Sequence, residues 1–198
     1  MVKKKIGVIG IQGAVTEHID SMQSAFKDSN VTGEVFVIKD KNQIKFLDAL
    51  IIPGGESTTI SRFINKLGLE KEISRRVENK DLAVMGTCAG CTILASELID
   101  DFHDAKILNA MDMTVKRNAF GRQKESFEQK IQIKGFKHPY NAVFIRAPAI
   151  ERVWNKCEIC AKIDDKIIMA RQDKLLALSF HPELTDDLRI HKYFLDII

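Results

Sequence analysis

Leu82-Ala83-Val84-Met85-Gly86-Thr87-Cys88-Ala89-Gly90 joins a run of four apolar residues to a tight glycine-flanked turn. Four to eight apolar residues without alternation mark a strand buried on both faces, as in a parallel sheet. The residues after the turn, Cys91 to Leu98, read as an apolar helix. Strand, turn, helix is the unit of an α/β fold, and the rest of the chain can be tested against it.

Upstream the unit repeats. Ile6 to Ile11 is a short apolar strand, broken by Gln12-Gly13-Ala14. Thr16 is positioned to cap a helix running towards Phe26, with Ile19, Met22 and Phe26 on one face. Glu34 to Ile38 and Ala49 to Ile52 read as further strands, the second stopped by Pro53-Gly54-Gly55. Ser57 to Lys66 and Glu70 to Glu78 suit helices, with Gly68 closing the first. Downstream the character changes. Met111–Val115, Phe127–Ile133, Ala142–Ile145, Cys157–Ile163, Ile167–Ala170 and Leu175–Phe180 look like strands with few helices between them. Asp186 to Ile198 has a helical apolar pattern. The expected fold is therefore α/β: a mostly parallel central sheet flanked by helices, with an antiparallel extension. No repeat, low-complexity tract or linker interrupts it, and residues 1–198 are expected to form a single domain.

Composition narrows the function classes. Hydrophobic residues make up 45% of the chain, enough for one well-covered core. Thirty Lys and Arg against 27 Asp and Glu leave a surplus of only 3, which argues against nucleic acid. The one basic run, Lys3-Lys4-Lys5, reads as a solvated tail. No apolar run approaches the ~20 residues of a membrane span, and residues 3–5 lead into a strand rather than a secretory apolar stretch. A cytoplasmic protein with reduced cysteines is expected. The four cysteines form two C-x-x-C spacings, Cys88/Cys91 and Cys157/Cys160. Their separation far exceeds the ~15–20 residues of common zinc sites. Cys157 and Cys160 also lie on a strand pattern, where positions three apart face opposite ways. No metal is expected.

Gly86-Thr-Cys-Ala-Gly90 has the context of a nucleophile elbow, G-x-S-x-G with Cys in place of Ser. Small flanking residues let the backbones pass closely while Cys88 projects into solvent. The helix start supplies partial positive charge and free N–H groups, which suit a thiolate. The Ala89 N–H can point at a developing oxyanion. Cys91, one turn on, is expected to pack as a small apolar residue.

A cysteine nucleophile needs a base. His18, His103, His138 and His191 stand in polar helix or loop contexts and read as surface residues. His181 follows the apolar strand Leu175–Phe180, and the carboxyl ends of strands are where α/β sheets place their sites. Glu183, two residues on in a Pro-restricted turn, can orient the imidazole. Pro53-Gly54-Gly55-Glu56-Ser57 likewise follows a buried strand, and its glycines can supply a second oxyanion donor. It lacks the Lys of a P-loop, which weakens a nucleotide-binding reading.

With these three elements the chain resembles the class I glutamine amidotransferases, whose hallmark is a Cys-His-Glu triad with the nucleophile on an elbow. The resemblance narrows to the glutaminase subunits of pyridoxal 5′-phosphate synthase complexes. It is carried by Gly10-Ile-Gln-Gly-Ala-Val-Thr-Glu-His18, Pro53-Gly-Gly-Glu-Ser-Thr58, Gly86–Gly90, Arg117-Asn-Ala-Phe-Gly-Arg-Gln123, Phe144-Ile-Arg-Ala-Pro148 and Ser179-Phe-His-Pro-Glu183. Cys91 departs from the aliphatic residue usual there.

The resemblance implies the following. Cys88 attacks the side-chain amide of L-glutamine, His181 is the base and then the acid, and Glu183 orients it. Gly55 and Ala89 form the oxyanion hole. Gly55, Glu56, Ser57, Arg117, Ile145 and Arg146 form the substrate pocket. Glu56 matches the ammonium of a free amino acid and an arginine its carboxylate, with the choice between Arg117 and Arg146 left open. Ammonia passes to a synthase subunit that makes pyridoxal 5′-phosphate, and no cofactor is called for. The competing readings are a related cysteine hydrolase, of peptidase or deglycase type, and a catalytically silent regulatory subunit.

Overall fold

The computed structural model describes residues 3–99, 105–120 and 125–198. In chain order the elements are β1 (Lys4–Ile9), α1 (Val15–Asp28), β2 (Gly33–Ile38), α2 (Lys41–Ile44), β3 (Ala49–Ile52), α3 (Ser57–Lys66), α4 (Leu69–Glu78), β4 (Ala83–Thr87), α5 (Ala89–Leu94), β5 (Ala95–Ile99) and β6 (Met111–Lys116). They continue with β7 (Ser126–Ile131), β8 (Tyr140–Ile145), β9 (Ala149–Val153), β10 (Glu158–Ile163), β11 (Lys166–Gln172), β12 (Leu175–Leu178) and α6 (Arg189–Leu195).

One sheet runs β2-β1-β3-β4-β12-β11-β9-β6-β5, with β10 added at β11. From β2 to β12 every neighbour is parallel. From β12 onward β11, β9 and β6 pair antiparallel, and β5 returns parallel to β6. The expected parallel sheet with an antiparallel extension is the fold observed. β7 and β8 form a separate antiparallel hairpin.

Alternation along the buried strands sorts their side chains into two cores. Leu50, Ile52 and Val84 meet Ile60, Ile64 and Ile73 of α3 and α4 on one face. Ile51 and Met85 meet Met22 and Phe26 of α1, Phe194 of α6 and Phe144 of the hairpin on the other. Each fully buried aliphatic or aromatic side chain contributes roughly 1.5–3 kcal/mol relative to exposure. Cys157, just before β10, belongs to the first core and Cys160, on β10, to the second.

Several local expectations are corrected. α1 starts at Val15, with Ala14 as N-cap and no side-chain cap bond, so Thr16 lies inside the helix. The helix expected to reach Leu98 ends at Leu94, and Ala95–Ile99 is β5, because its residues pair with β6. Lys4 and Lys5 are no tail: they open β1 opposite Gly33 and Glu34. Gly68 does close α3, and at φ 65° it also starts α4. No helix among the described residues is long and apolar enough to cross a membrane.

Candidate active site

The parallel register brings three strand ends together. Ile52 of β3 pairs with Gly86, and Leu178 of β12 pairs with Thr87. The Pro53–Ser57 loop, Cys88 and His181 therefore leave adjacent strands at the same carboxyl edge, where α/β sheets bind ligands. A cavity of about 500 Å³ opens there, lined among others by Gln12, Glu56, Cys88, Arg117, Ile145 and His181.

Cys88 sits between β4 and α5 at φ 49° and ψ −104°. Non-glycine residues avoid positive φ unless the surroundings enforce it. The enforcement is visible. The Cys88 N–H donates to the Leu178 carbonyl at 2.8 Å. A Cβ on Gly90 would collide with the Ile52 carbonyl, and one on Gly86 with the Gly90 backbone. Cys88 was expected to project into solvent, but it is only 8% exposed. Strand β8 lies over it, and its thiol points at the Ile145 carbonyl 3.7 Å away. It forms the floor of the cavity. Cys91 is fully buried in the first core, and burial pushes its thiol up.

His181 Nδ1 lies 2.7 Å from Glu183 Oε1, and the Glu183 side chain is fully buried. The His181 N–H donates to the Val143 carbonyl of β8 at 2.8 Å, which fixes the start of the turn. Burial disfavours the charged imidazole, but hydrogen bonds with Cys88 and Glu183, reinforced by the charges of a Cys88 thiolate and the carboxylate, raise His181 to about 10. Burial likewise opposes the Glu183 carboxylate, yet its hydrogen bond to His181 holds it below its usual range. Such a pairing suits an imidazolium that stores and returns a proton.

Two of the histidines read as surface residues are buried. His18 and His191 are both fully enclosed, on α1 and α6. His18 Nε2 lies 3.4 Å from Glu183 Oε2 and 3.2 Å from Thr87 Oγ1. The His18 and His191 rings meet edge to face, their centroids 6.0 Å apart. Burial lowers both, His191 to about 3. The sequence did carry a signal. His18, Met22, Ala25 and Phe26 share one helical face, so the apolar stripe of α1 includes a histidine. His138 is exposed as expected, and His103 lies outside the described residues.

The Pro53–Ser57 loop packs directly on the pair. A Cβ on Gly54 would strike the His181 ring and sit 3.3 Å from the Cys88 Cβ. Gly55 has φ 136°, a conformation side-chain-bearing residues rarely adopt. Gly55 and Ala89 both line the cavity. Glu56 is the N-cap of α3, accepting from the Thr58 N–H at 2.9 Å, the Thr59 N–H at 2.7 Å and the Thr59 hydroxyl at 2.8 Å. Partial burial opposes its charge, but these bonds hold the carboxyl at about 2. Arg117 pairs with Glu56 at 3.4 Å and Arg146 with Glu125 at 3.6 Å. Ser57 and Ile145 also line the cavity. Every proposed site residue except Glu183, which is enclosed behind His181, thus borders one space. Gly121, Arg122 and Gln123 of the 117–123 motif lie outside the described residues. Leu184, 41% exposed at the cavity mouth, and Thr87 beneath Cys88 were not singled out from sequence. Among the described residues no group of three or more His, Cys, Asp and Glu side chains could hold a metal ion.

Comparison with known proteins places the chain in a family. Residues 8–198 match the SNO glutamine amidotransferase family. The chain is 46% identical over 195 residues to the pyridoxal 5′-phosphate synthase subunit PdxT of Methanococcoides burtonii, covering 97% of this chain and 98% of that protein. It is 48% identical to the PdxT subunit of Niallia circulans, over 98% of this chain and 97% of that one. A crystal structure of a glutamine amidotransferase superposes with a TM-score of 0.86 at 41% identity, covering 97% of both chains. A glutamine amidotransferase of Thermotoga maritima, 12% identical over 99% of this chain and 84% of its own, shares the fold with a TM-score of 0.62. The chain belongs to the SNO glutamine amidotransferase family.

Proposed function

We propose that this chain is the glutaminase subunit of a pyridoxal 5′-phosphate synthase, releasing ammonia from L-glutamine at Cys88. The observation that carries this is the buried His181–Glu183 pair, 2.7 Å apart, beside a cysteine on a strained elbow. The cavity above it is bordered by both a carboxylate, Glu56, and guanidinium groups, Arg117 and Arg146, as a zwitterionic amino acid requires. Full-length relatives named as synthase subunits support the partner. We take residues 1–198 as one glutamine amidotransferase domain.

In this reading the Cys88 thiolate attacks the side-chain carbonyl carbon of glutamine. The oxygen that becomes negative is met by the N–H groups of Gly55 and Ala89, a contribution of roughly 3 kcal/mol per donor. His181 gives its proton to the departing nitrogen, and ammonia leaves. A thioester remains on Cys88. His181, now neutral, takes a proton from water, and the hydroxide formed releases glutamate and the free thiolate. Glu183 holds the ring in the tautomer that presents Nε2 to the reaction and supports its charged form. Glu56 is occupied as a helix cap, so its negative charge acts at the pocket from a fixed position. Ammonia then passes to the synthase subunit.

The test is glutamate and ammonia release by the purified chain, titrated with the cognate synthase subunit. Turnover of glutamine, with a rise in kcat on adding the partner, is the expected result. Absence of turnover with the partner saturating, or hydrolysis of peptides in preference to glutamine, would overturn the reading.

A further inference from the structure

Behind the His181–Glu183 pair the structure holds a second buried histidine that the reaction as described does not use. Glu183 has two carboxylate oxygens, both enclosed. Oε1 is engaged by His181 at 2.7 Å. Oε2 makes no regular hydrogen bond, and His18 Nε2 stands 3.4 Å from it. A carboxylate is an acceptor only, so this approach is favourable when His18 carries its proton on Nε2. The same nitrogen lies 3.2 Å from the hydroxyl of Thr87, the residue immediately before Cys88. His18 Nδ1 has no partner, which fits that tautomer, and the ring faces His191 of α6 rather than solvent. Burial keeps the ring uncharged, so it donates without neutralising the carboxylate.

We propose that His18 is a positioning residue: its Nε2–H is shared between Glu183 Oε2 and Thr87 Oγ1, fixing the orienting carboxylate relative to the nucleophile's strand. It also ties the site to the cavity rim. His18 stands in the first turn of α1, and the residues leading into that helix, Gln12 to Ala14, line the cavity. Gln12 accepts at 3.4 Å from the Glu56 N–H. A shift of α1 along its axis therefore changes the rim and the 3.4 Å gap to Glu183 together. The inference rests on the triad proposed above.

The test compares His18→Leu and His18→Gln with the wild type, each assembled with the synthase subunit. Leucine deletes the donor; glutamine places an amide N–H at similar reach. For His18→Leu, kcat should fall about 10- to 100-fold, the scale of a lost hydrogen bond to a charged group, with the KM for glutamine within about twofold. Its alkaline limb of kcat/KM should move to lower pH, because a loosened Glu183 supports the His181 imidazolium less. His18→Gln should recover most of kcat and of the limb. The groups facing His18 in that titration are Glu183 and His181 beyond β12, His191 on α6 and Glu17 on α1 itself. Should His18→Leu not fold, His18→Gln and His18→Asn decide, since the shorter amide cannot reach: equal kcat in both overturns the inference. Unchanged kcat and pH profile in a folded His18→Leu also overturn it. An inactive wild type would remove the triad reading itself, whereas an active wild type with indifferent His18 variants removes this inference alone.

Discussion

Gly54→Ala probes the geometry most sharply. Gly54 is not at positive φ, so alanine meets no backbone strain there. The cost falls on what the new methyl touches. It would overlap His181 Cε1 and lie 3.2 Å from Nδ1 and 3.3 Å from the Cys88 Cβ. The cysteine is held by the elbow, so the imidazole must give way by several tenths of an ångström to an ångström. That displacement opens the 2.7 Å bond to Glu183 and misaligns the ring with the sulfur. A misplacement of about 1 Å in a reacting group costs on the order of a hundredfold, or about 2.7 kcal/mol of barrier. Overpacking of a tight site costs a further 1–3 kcal/mol of stability, which is a fall of roughly 2–12 °C in Tm for a chain of this size. The assay is glutamate release with saturating synthase subunit, alongside thermal unfolding. A kcat within threefold of wild type would refute the placement of Gly54 against His181.

Three further outcomes are expected. His181→Asn should cost nearly as much activity as removal of Cys88, because such residues act as a unit, while Glu183→Gln retains more; steady-state kinetics of the two variants check the order. Glu56→Ala removes an N-cap that accepts three hydrogen bonds, so stability should fall by about 1 kcal/mol, read from denaturant unfolding, in addition to any rise in the KM for glutamine. Stability should be greatest near neutral pH. His191 has its pKa lowered to about 3, so its contribution is complete above about 6.5 and is lost as pH falls towards 3. His181 is raised to about 10, so its contribution is complete below about 6.5 and is lost as pH rises through 10. Each limb has a slope of at most about 1.4 kcal/mol per pH unit per proton. His191→Phe, which removes two unpartnered buried nitrogens, should flatten the acid limb of Tm against pH.

In the parallel half of the sheet β3 and β4 are the most legible, because each is an uninterrupted apolar run that stops on proline or glycine. Ala49–Ile52 and Ser57–Lys66 were found to the residue. The elbow and the His-Pro-Glu turn were legible for the same reason, since each closes a buried strand. β5 was not, because Ala95–Ile99 follows α5 with no glycine or proline between and its identity depends on pairing with β6. β9 was missed as well: Glu151 and Arg152 are consecutive exposed residues, which breaks the alternation. The burial of His18 and His191 was hidden by their polar neighbours in sequence, although each falls on its helix's apolar face. Glu56 fits an ammonium ligand from sequence, whereas its capping of α3 is masked because Glu is an uncommon N-cap and Ser57 beside it is a common one. Periodicity locates faces, but only the packed neighbours decide which polar side chain a face encloses.

The central claim is that Cys88 is the residue that becomes covalently attached to the glutamine side chain. Incubating the chain and its synthase partner with a glutamine-analogue alkylating agent, then mapping the adduct by peptide mass spectrometry, tests it directly. One adduct per chain at Cys88, absent in Cys88→Ala and retained in Cys91→Ala, is the result expected. Modification at Cys91, or an active enzyme in which Cys88 stays unlabelled and Cys88→Ala still turns over glutamine, would contradict it.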